Sequence, residues 1–263
     1  RLAKVSSDPE DLAGVIHAGL NDLVAQGSGD VSALLDQIDL IVHGTTIATN
    51  ALIQGRLART GMLCTSGFRD ILELREGLKE RRYDYIQPPP TPLVPRHLRL
   101  PVDERINKEG EVLQVLDEDQ VRAAAVTFRA QGVEAVAGCL LWSIVNPVHE
   151  ERIRDILAEE MPDVPVFLSS VVSPQLREYP RFSTTALCAA LAGRLRDYVG
   201  RLESNLTEVG FHRAIRYIQC NGGTTSGAGL RERPVLALDS GPAAGPAAGR
   251  FFGRLFDIEN VIT

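Results

Sequence analysis

Three short polar segments combine glycine with hydroxyl or amide side chains, which are residue types that bind phosphate groups. They cover residues 43–50 (HGTTIATN), 220–226 (CNGGTTS) and 239–245 (DSGPAAG). Glycine allows a sharp turn or a close backbone approach, and hydroxyls, backbone amides and helix N-termini favour anions. A capped helix start also explains the first pattern, a plain turn the second and a close helix–sheet contact the third, so the residue types leave the phosphate-binding and the structural interpretations open.

Each segment is predicted to follow a strand, and ligands of open α/β sheets bind beyond the carboxyl ends of strands. We therefore predict one phosphate or nucleotide site to which all three segments contribute. The candidate binding residues are Gly44, Thr45, Thr46, Asn50, Asn221, Gly222, Gly223, Ser240, Gly241, Pro242 and Ala243. The third segment is neither a Walker A motif nor GxGxxG, because no lysine follows and the glycine spacing differs.

Nucleophiles, general bases and metal ligands form no recognisable pattern, so we assign no catalytic residue and no protein metal site. The cysteines are far apart, form no CxxC pair, and are expected to be reduced thiols, mostly in the core: Cys64, Cys139, Cys188 and Cys220. We expect His149 in the first turn of a helix. Arg177, Glu178 and Arg181 are close enough in sequence to form an ion-pair cluster, an arrangement that is more often structural than catalytic.

Composition excludes some classes of partner. A net charge of -6 and a pI near 5.5 argue against nucleic acid, whose phosphates favour basic proteins. No apolar run approaches the roughly 20 residues of a membrane helix, and no signal peptide opens the sequence. We expect a cytoplasmic protein without a membrane partner. Because the sequence starts at Arg1 and ends in an apparent new strand at 257–263, we also expect a piece of a longer subunit.

Alternating helix and strand patterns predict an α/β fold with largely parallel sheets. Predicted helices cover 8–26, 47–57, 117–131, 146–161 and 182–209, and predicted strands cover 40–44, 60–65, 135–142, 164–169, 216–220 and 235–240. Residues 76–105 are predicted to form an extended loop because proline lacks an amide donor. Its proline-rich part, 88–95, is either a surface connection or an arm that contacts a neighbouring subunit.

Taken in order, several blocks resemble the hydantoinase A / 5-oxoprolinase family, which includes the large subunits of acetone and acetophenone carboxylases. The blocks cover 43–52, 65–70, 89–96, 104–105, 146–150 (NPVHE), 173–185, 221–223 and 240–243. The ordered set spans nearly the whole sequence and is more specific than any single motif. The resemblance implies a hydantoinase A N-terminal-like α/β domain over 1–172 and the start of an ATPase-like domain over 173–263, with actin/Hsp70/sugar-kinase-like architecture.

The resemblance also implies a function. Family members use ATP with Mg²⁺ to activate a carbonyl or amide oxygen by phosphorylation, for ketone carboxylation or for cyclic amide hydrolysis. The implied partners are a hydantoinase B-like subunit and a small carbonyl or cyclic amide substrate. The alternatives are a non-catalytic scaffold subunit and, less favoured, a sugar kinase. Two departures matter: both Asp-x-Gly-Gly-Thr phosphate loops of the family lie outside this sequence, and Ala244-Gly245 replaces a glycine pair.

Overall fold

A computed structural model describes residues 1–6, 11–27, 29–77, 81, 83–88 and 90–262. The helices are α1 (Leu12–Ala25), α2 (Val31–Leu35), α3 (Ile47–Ile53), α4 (Ile71–Leu74), α5 (Glu118–Ala130), α6 (Val148–Glu160), α7 (Ser169–Val172), α8 (Glu178–Glu208), α9 (Gly227–Glu232) and α10 (Ser240–Leu255). The strands are β1 (Leu40–His43), β2 (Thr60–Thr65), β3 (Arg99–Val102), β4 (Arg105–Ile106), β5 (Val112–Gln114), β6 (Ala135–Cys139), β7 (Val166–Leu168), β8 (Ala214–Ile218) and β9 (Thr224–Thr225). The α/β class is confirmed, and residues 8–10 of the first predicted helix lie outside the described part.

The chain forms two compact units. The first unit comprises Arg1–Asn50, Arg194–Arg231 and Leu236–Thr263, and the second comprises Ala51–Gly193 and Glu232–Val235. The N-terminal residues join the C-terminal ones because β1 pairs with β8 in parallel over four residues. The compact units therefore do not follow the order of the sequence, and the domain boundary at residue 172 stays a prediction.

The second unit is built on a parallel sheet in the order β3-β2-β6-β7. Every residue of β2 and β6 is buried, as expected for central strands covered on both faces. Helix α5 begins at an Asp117 cap, whose side chain accepts a hydrogen bond from the Gln120 amide at 3.1 Å. It packs Phe128 over Gly61, where an added Cβ would lie 2.6 Å from the ring.

The first unit contains the smaller sheet, in the order β1-β8-β9. Strand β9 pairs antiparallel with β8, so the chain reverses through the glycine-containing turn between them. Arg213, just before β8, donates hydrogen bonds to the carbonyl oxygens of Leu35, Asp36 and Ile38 at 2.7–3.1 Å. This guanidinium fixes the end of α2 beside the sheet, so β1 enters in register with β8.

Three sequence predictions are wrong. Residues 235–240 form no strand: they contain a 3-10 turn, Pro234–Ala237, followed by the start of α10. A short apolar run cannot be assigned to strand or helix by its periodicity. Residues 257–262 contain no strand either. The expected loop at 76–105 includes the edge strand β3, which accommodates Pro101 because an edge strand is paired on one side only.

None of the helices in the described ranges combines the length and the apolar character needed to cross a membrane. The helix predicted at 182–209 is longer than expected at its N-terminus and begins at Glu178.

Candidate functional site

The three polar segments lie together in the first unit. We name residues 43–50 the first loop, 220–226 the second loop and 239–245 the third loop. The first and second loops follow β1 and β8, and because these strands are parallel neighbours, both loops leave the same edge of the sheet. The third loop follows a 3-10 turn rather than a strand and forms the N-terminal turn of α10.

The first and third loops are joined by direct hydrogen bonds. The buried Ser240 hydroxyl donates to the Thr45 carbonyl oxygen at 2.7 Å. The Asp239 amide donates to the Thr49 hydroxyl at 3.1 Å, and that hydroxyl lies 3.5 Å from the Asp239 carboxylate. A Cβ on Gly241 would lie 3.7 Å from the Thr46 methyl group. The two loops therefore form one continuous surface.

The second loop closes on itself and lies close to the third. Gly222 has a φ of 79°, a conformation that glycine adopts without steric cost. The Gly222 amide donates to the Gln219 carbonyl oxygen at 3.0 Å, and the Gly223 amide donates to the Asn221 side chain at 2.9 Å. Both glycine amides are therefore used within this tight turn. A Cβ on Gly222 would lie 3.8 Å from the Ala243 carbonyl oxygen.

The binding candidates differ in how far they are exposed to solvent. Eight candidates are exposed: Gly44, Thr46, Asn50, Asn221, Gly222, Gly223, Gly241 and Pro242. Ser240 is buried, and Thr45 and Ala243 are half-buried. Asp239 is exposed and has a φ of 49°, which is unusual for a residue with a side chain and marks a constrained position. The site thus presents hydroxyls, the side-chain amides of Asn50 and Asn221, and one carboxylate to solvent.

An aromatic cluster that the sequence analysis missed surrounds His43, the first residue of the first loop. The His43 ring nitrogen Nε2 is 2.5 Å from the Tyr198 hydroxyl, and Tyr217 contacts His43 edge-on with ring centroids 5.9 Å apart. His43 is the β-sheet partner of Tyr217, so only the strand pairing reveals the cluster.

The NPVHE block lies in the second unit and is used for internal contacts. The Asn146 side chain donates to the Gly110 carbonyl oxygen at 2.8 Å. His149 lies in the first turn of α6, as predicted, and its Nδ1 is 2.8 Å from the buried Glu104 carboxylate. Glu150 is fully buried and accepts hydrogen bonds from two backbone amides and two serine hydroxyls. These contacts of Asn146, His149 and Glu150 therefore fix the fold of their unit.

The predicted Arg177–Glu178–Arg181 cluster does not form. Arg177 pairs with Glu76 instead, whereas Arg181 is buried and donates to the Leu140 carbonyl oxygen at 2.8 Å. Helix geometry explains the difference, because Arg181 lies inside α8 and Arg177 precedes it with a φ of 78°.

Three of the cysteines are buried, as expected, and Cys220 is exposed. Burial raises the pKa of Cys64 and Cys188 to about 12 and raises that of Cys139 as well. These three thiols stay protonated at neutral pH and are poor nucleophiles.

Two family descriptions match the chain. The hydantoinase/oxoprolinase N-terminal region matches residues 1–161, and the hydantoinase/oxoprolinase family matches residues 181–263. The chain is 42% identical over 265 residues to caprolactamase subunit alpha of Pseudomonas jessenii, covering 100% of this chain and 38% of that subunit. It is 35% identical over 242 residues to the gamma subunit of acetophenone carboxylase from Aromatoleum aromaticum, covering 85% and 32%.

Two solved structures are similar over most of the chain. The ATP-dependent caprolactamase from Pseudomonas jessenii superposes with a TM-score of 0.89 at 41% identity, covering 97% of this chain and 37% of that one. A nucleotide-free acetone carboxylase superposes with a TM-score of 0.87 at 28% identity, with the same coverage of 97% and 37%. The chain thus spans less than two-fifths of the length of these relatives.

Proposed function

The chain belongs to the hydantoinase/oxoprolinase family, and we propose that it is part of an enzyme that uses ATP to activate a carbonyl or amide oxygen by phosphorylation. Its similar proteins include an ATP-dependent caprolactamase and an acetophenone carboxylase subunit. Because the caprolactamase subunit is 42% identical over the full chain, we propose hydrolysis of a cyclic amide as the reaction. Carboxylation of a small ketone is the second candidate, supported by the acetophenone carboxylase similarity.

The observation that carries this proposal is the meeting of three polar loops at one sheet edge. Ser240 donates a hydrogen bond to the Thr45 carbonyl oxygen, and Gly222 lies near the third loop, since a Cβ added to it would be 3.8 Å from the Ala243 carbonyl oxygen. The amides of Gly222 and Gly223 already donate hydrogen bonds within the turn. The second loop would therefore act through its Asn221 side chain, and the absence of a Cβ on the two glycines would leave room for the ligand. The third loop adds the N-terminus of α10, where unpaired amides and the helix dipole favour phosphate.

The residues of these loops fit a phosphate with a bound Mg²⁺. Mg²⁺ is usually held by one or two carboxylates together with substrate phosphates and water. The loops contain one carboxylate, Asp239, and it is exposed beside Thr49. When bound, ATP would supply the phosphoryl group and Mg²⁺ would offset its charge. The chain's own hydroxyls would hold the transferring group in position, which is the main protein contribution to phosphoryl transfer.

A hydantoinase B-like partner subunit is part of the proposal. The caprolactamase, acetophenone carboxylase and acetone carboxylase relatives carry the subunit names alpha, gamma and beta. The segment before the proline-rich region supports a subunit contact, since Tyr83, Tyr85 and Ile86 are 81%, 92% and 92% exposed. Large apolar side chains exposed next to one another mark interaction surfaces. Buried free thiols also agree with a cytoplasmic location.

The test uses the intact protein together with the subunits that copurify with it. Phosphate release from ATP is measured with caprolactam, hydantoin or 5-oxoproline, and with acetone or acetophenone plus bicarbonate. Stimulation by a cyclic amide, with ring opening, supports the hydrolase, and stimulation by a ketone with bicarbonate supports the carboxylase. A correctly assembled complex that shows no ATP hydrolysis with any of them supports the scaffold alternative and overturns the proposal.

A variant links this activity to the loops. Gly241→Val adds methyl groups at the exposed N-terminal turn of α10, where the nearest neighbour is the Thr46 methyl at 3.7 Å from the new Cβ. We expect ATP-dependent turnover to be lost while the thermal unfolding temperature stays close to that of the wild type. Gly200→Val is the matched control, because nothing lies within 4 Å of the Cβ that it introduces on α8. Thr46→Ala should cost less, about 1–3 kcal/mol of transition-state stabilisation.

A further inference from the structure

The first loop contains three threonine hydroxyls, and two of them are used to hold the loop together. The Thr45 hydroxyl is half-buried and accepts a hydrogen bond from the Ile47 amide at 3.3 Å. The Thr49 hydroxyl accepts one from the Asp239 amide at 3.1 Å and lies 3.5 Å from the Asp239 carboxylate. Thr45 therefore supports the turn of its own loop, and Thr49 joins that loop to the third.

The third hydroxyl, that of Thr46, is exposed, and the Asn50 side chain determines which hydrogen bond it can still make. Asn50 Nδ2 donates to Thr46 Oγ1 at 3.2 Å, and the Asn50 backbone amide donates to the Thr46 carbonyl oxygen at 2.8 Å. Residues four positions apart in a helical turn lie on the same face. Because an NH₂ group can only donate, the Thr46 oxygen accepts and its proton stays available. No residue in the described part of the chain accepts that proton.

The backbone at Thr46 is held by the third loop. The buried Ser240 hydroxyl donates to the Thr45 carbonyl oxygen at 2.7 Å. That carbonyl shares a planar peptide unit with the Thr46 amide, so this hydrogen bond fixes the orientation of the peptide that leads into Thr46. A Cβ on Gly241 would lie 3.7 Å from the Thr46 methyl group. The Thr46 side chain therefore lies beside the first turn of α10, one of the elements to which the proposed function assigns the phosphate.

We propose that the Thr46 hydroxyl donates a hydrogen bond to a phosphate oxygen of ATP, and that Asn50 is a positioning residue that orients this hydroxyl. The inference rests on the proposed function, and it gives different roles to two residues that the sequence analysis treated alike as binding candidates. A phosphate oxygen is an acceptor, so a hydroxyl binds it through an available proton. A donor that is already held in position loses less conformational freedom when the ligand binds.

Substitution of Asn50 by aspartate reverses the direction of this hydrogen bond. A carboxylate can only accept, so the Thr46 proton would turn towards residue 50 and away from the phosphate, and the added negative charge would repel the phosphate as well. Asn50→Ala leaves the proton free but without a fixed direction. Asn50→Asp should therefore lower kcat/KM for ATP more than Asn50→Ala does, and a loss no greater than that of Asn50→Ala overturns the assigned direction.

A double-mutant cycle separates positioning from direct binding. Thr46→Val should lower kcat/KM for ATP by about tenfold or more, and Thr46→Ser, which keeps the hydroxyl, by less than about threefold. If Asn50 acts through Thr46, Asn50→Ala should cost about three- to tenfold in the wild type but less than about twofold in the Thr46→Val background. Asn221→Ala is the matched control, because it removes the same kind of side chain from the second loop. Its effect should be equal in both backgrounds.

The measurements use the intact protein with its copurifying subunits. They comprise kcat and KM for ATP, the thermal unfolding temperature, and the Kd of a non-hydrolysable ATP analogue with Mg²⁺ by titration calorimetry. The Kd values repeat the cycle without turnover, so they report on binding even where the chemical step is slow. The unfolding temperatures identify any variant that loses activity through its fold, and Thr46→Ala replaces Thr46→Val in the cycle should the latter not fold.

The outcomes separate the two proposals. A wild-type protein that neither binds the analogue nor hydrolyses ATP overturns the proposed function, and this inference fails with it. An active wild type whose kcat/KM is unchanged by Thr46→Val, or changes equally on Asn50→Ala in both backgrounds, overturns the assigned roles while the proposed function stands. A loss on Asn50→Ala that disappears in the Thr46→Val background, at equal unfolding temperatures, supports them.

Discussion

Glu150 offers the clearest test of how the second unit is held together. Its carboxylate is fully buried, and each of its oxygens accepts one backbone amide and one hydroxyl. Oε1 accepts from the Leu140 amide at 3.0 Å and the Ser169 hydroxyl at 2.6 Å, and Oε2 accepts from the Ser170 amide at 2.9 Å and its hydroxyl at 2.6 Å. Glu150→Gln keeps the shape of the side chain and replaces one acceptor by a donor.

The loss of stability in Glu150→Gln depends on which hydrogen-bond partners of the side chain can adapt to an amide. A serine hydroxyl can rotate and accept a hydrogen bond from the new NH₂ group, but a backbone N–H cannot reverse. Whichever way the amide is oriented, either the Leu140 or the Ser170 N–H loses its acceptor. A hydrogen bond to a charged group contributes about 1.5–3 kcal/mol, and a buried donor without a partner costs about 1–3 kcal/mol. Since these overlap, we expect a total of about 2–4 kcal/mol.

Native-state hydrogen exchange measures this cost locally, which suits a protein of more than one unit. Whichever of the Leu140 and Ser170 amides loses its acceptor should exchange about 30 to 1,000 times faster in Glu150→Gln than in the wild type, since each 1.4 kcal/mol is tenfold. Glu151→Gln is the control, because Glu151 is the next residue of α6 and is exposed. Equal exchange of both amides in the two variants would refute the reasoning.

Three further predictions concern stability. Gly61→Ala should destabilise the protein by several kcal/mol in thermal unfolding, because its Cβ would lie 2.6 Å from the Phe128 ring, whereas Gly193→Ala, with nothing within 4 Å, should stabilise by about 0.5–1 kcal/mol. Gly222→Ala should cost about 1–2 kcal/mol, since its φ is 79°, seen as faster amide exchange in that turn. Burial lowers the pKa of His43 in the folded state, so the unfolded state binds more protons below about pH 6.5. Wild-type stability should therefore decrease as the pH is lowered below that value, and His43→Gln should make this decrease smaller. Equal decreases of the unfolding temperatures of the two proteins across a pH series would contradict this.

Local patterns predicted most of the elements. The helix at Glu118–Ala130 and the strand at Thr60–Thr65 were expected because their caps and apolar runs are encoded in adjacent residues. The segment 235–240 was assigned wrongly for the same reason, since a short apolar run fits a strand and a 3-10 turn alike. Local patterns do not contain strand pairing. Strands β1 and β8 are far apart in the sequence, so neither their pairing nor the contact of His43 with Tyr217 could be predicted.

The ordered blocks that identify the family have different physical roles, and burial distinguishes them. In the second unit, Glu150 uses both carboxylate oxygens on internal donors, so a substrate finds no free atom there. In the first unit, Ser240 is buried as an anchor while Gly241, its neighbour, is exposed. A polar residue can bind phosphate only if its acceptor or donor is both reachable and unused. By that criterion the candidate site consists of the exposed hydroxyl, amide and carboxylate groups of the three loops, and the NPVHE block belongs to the framework.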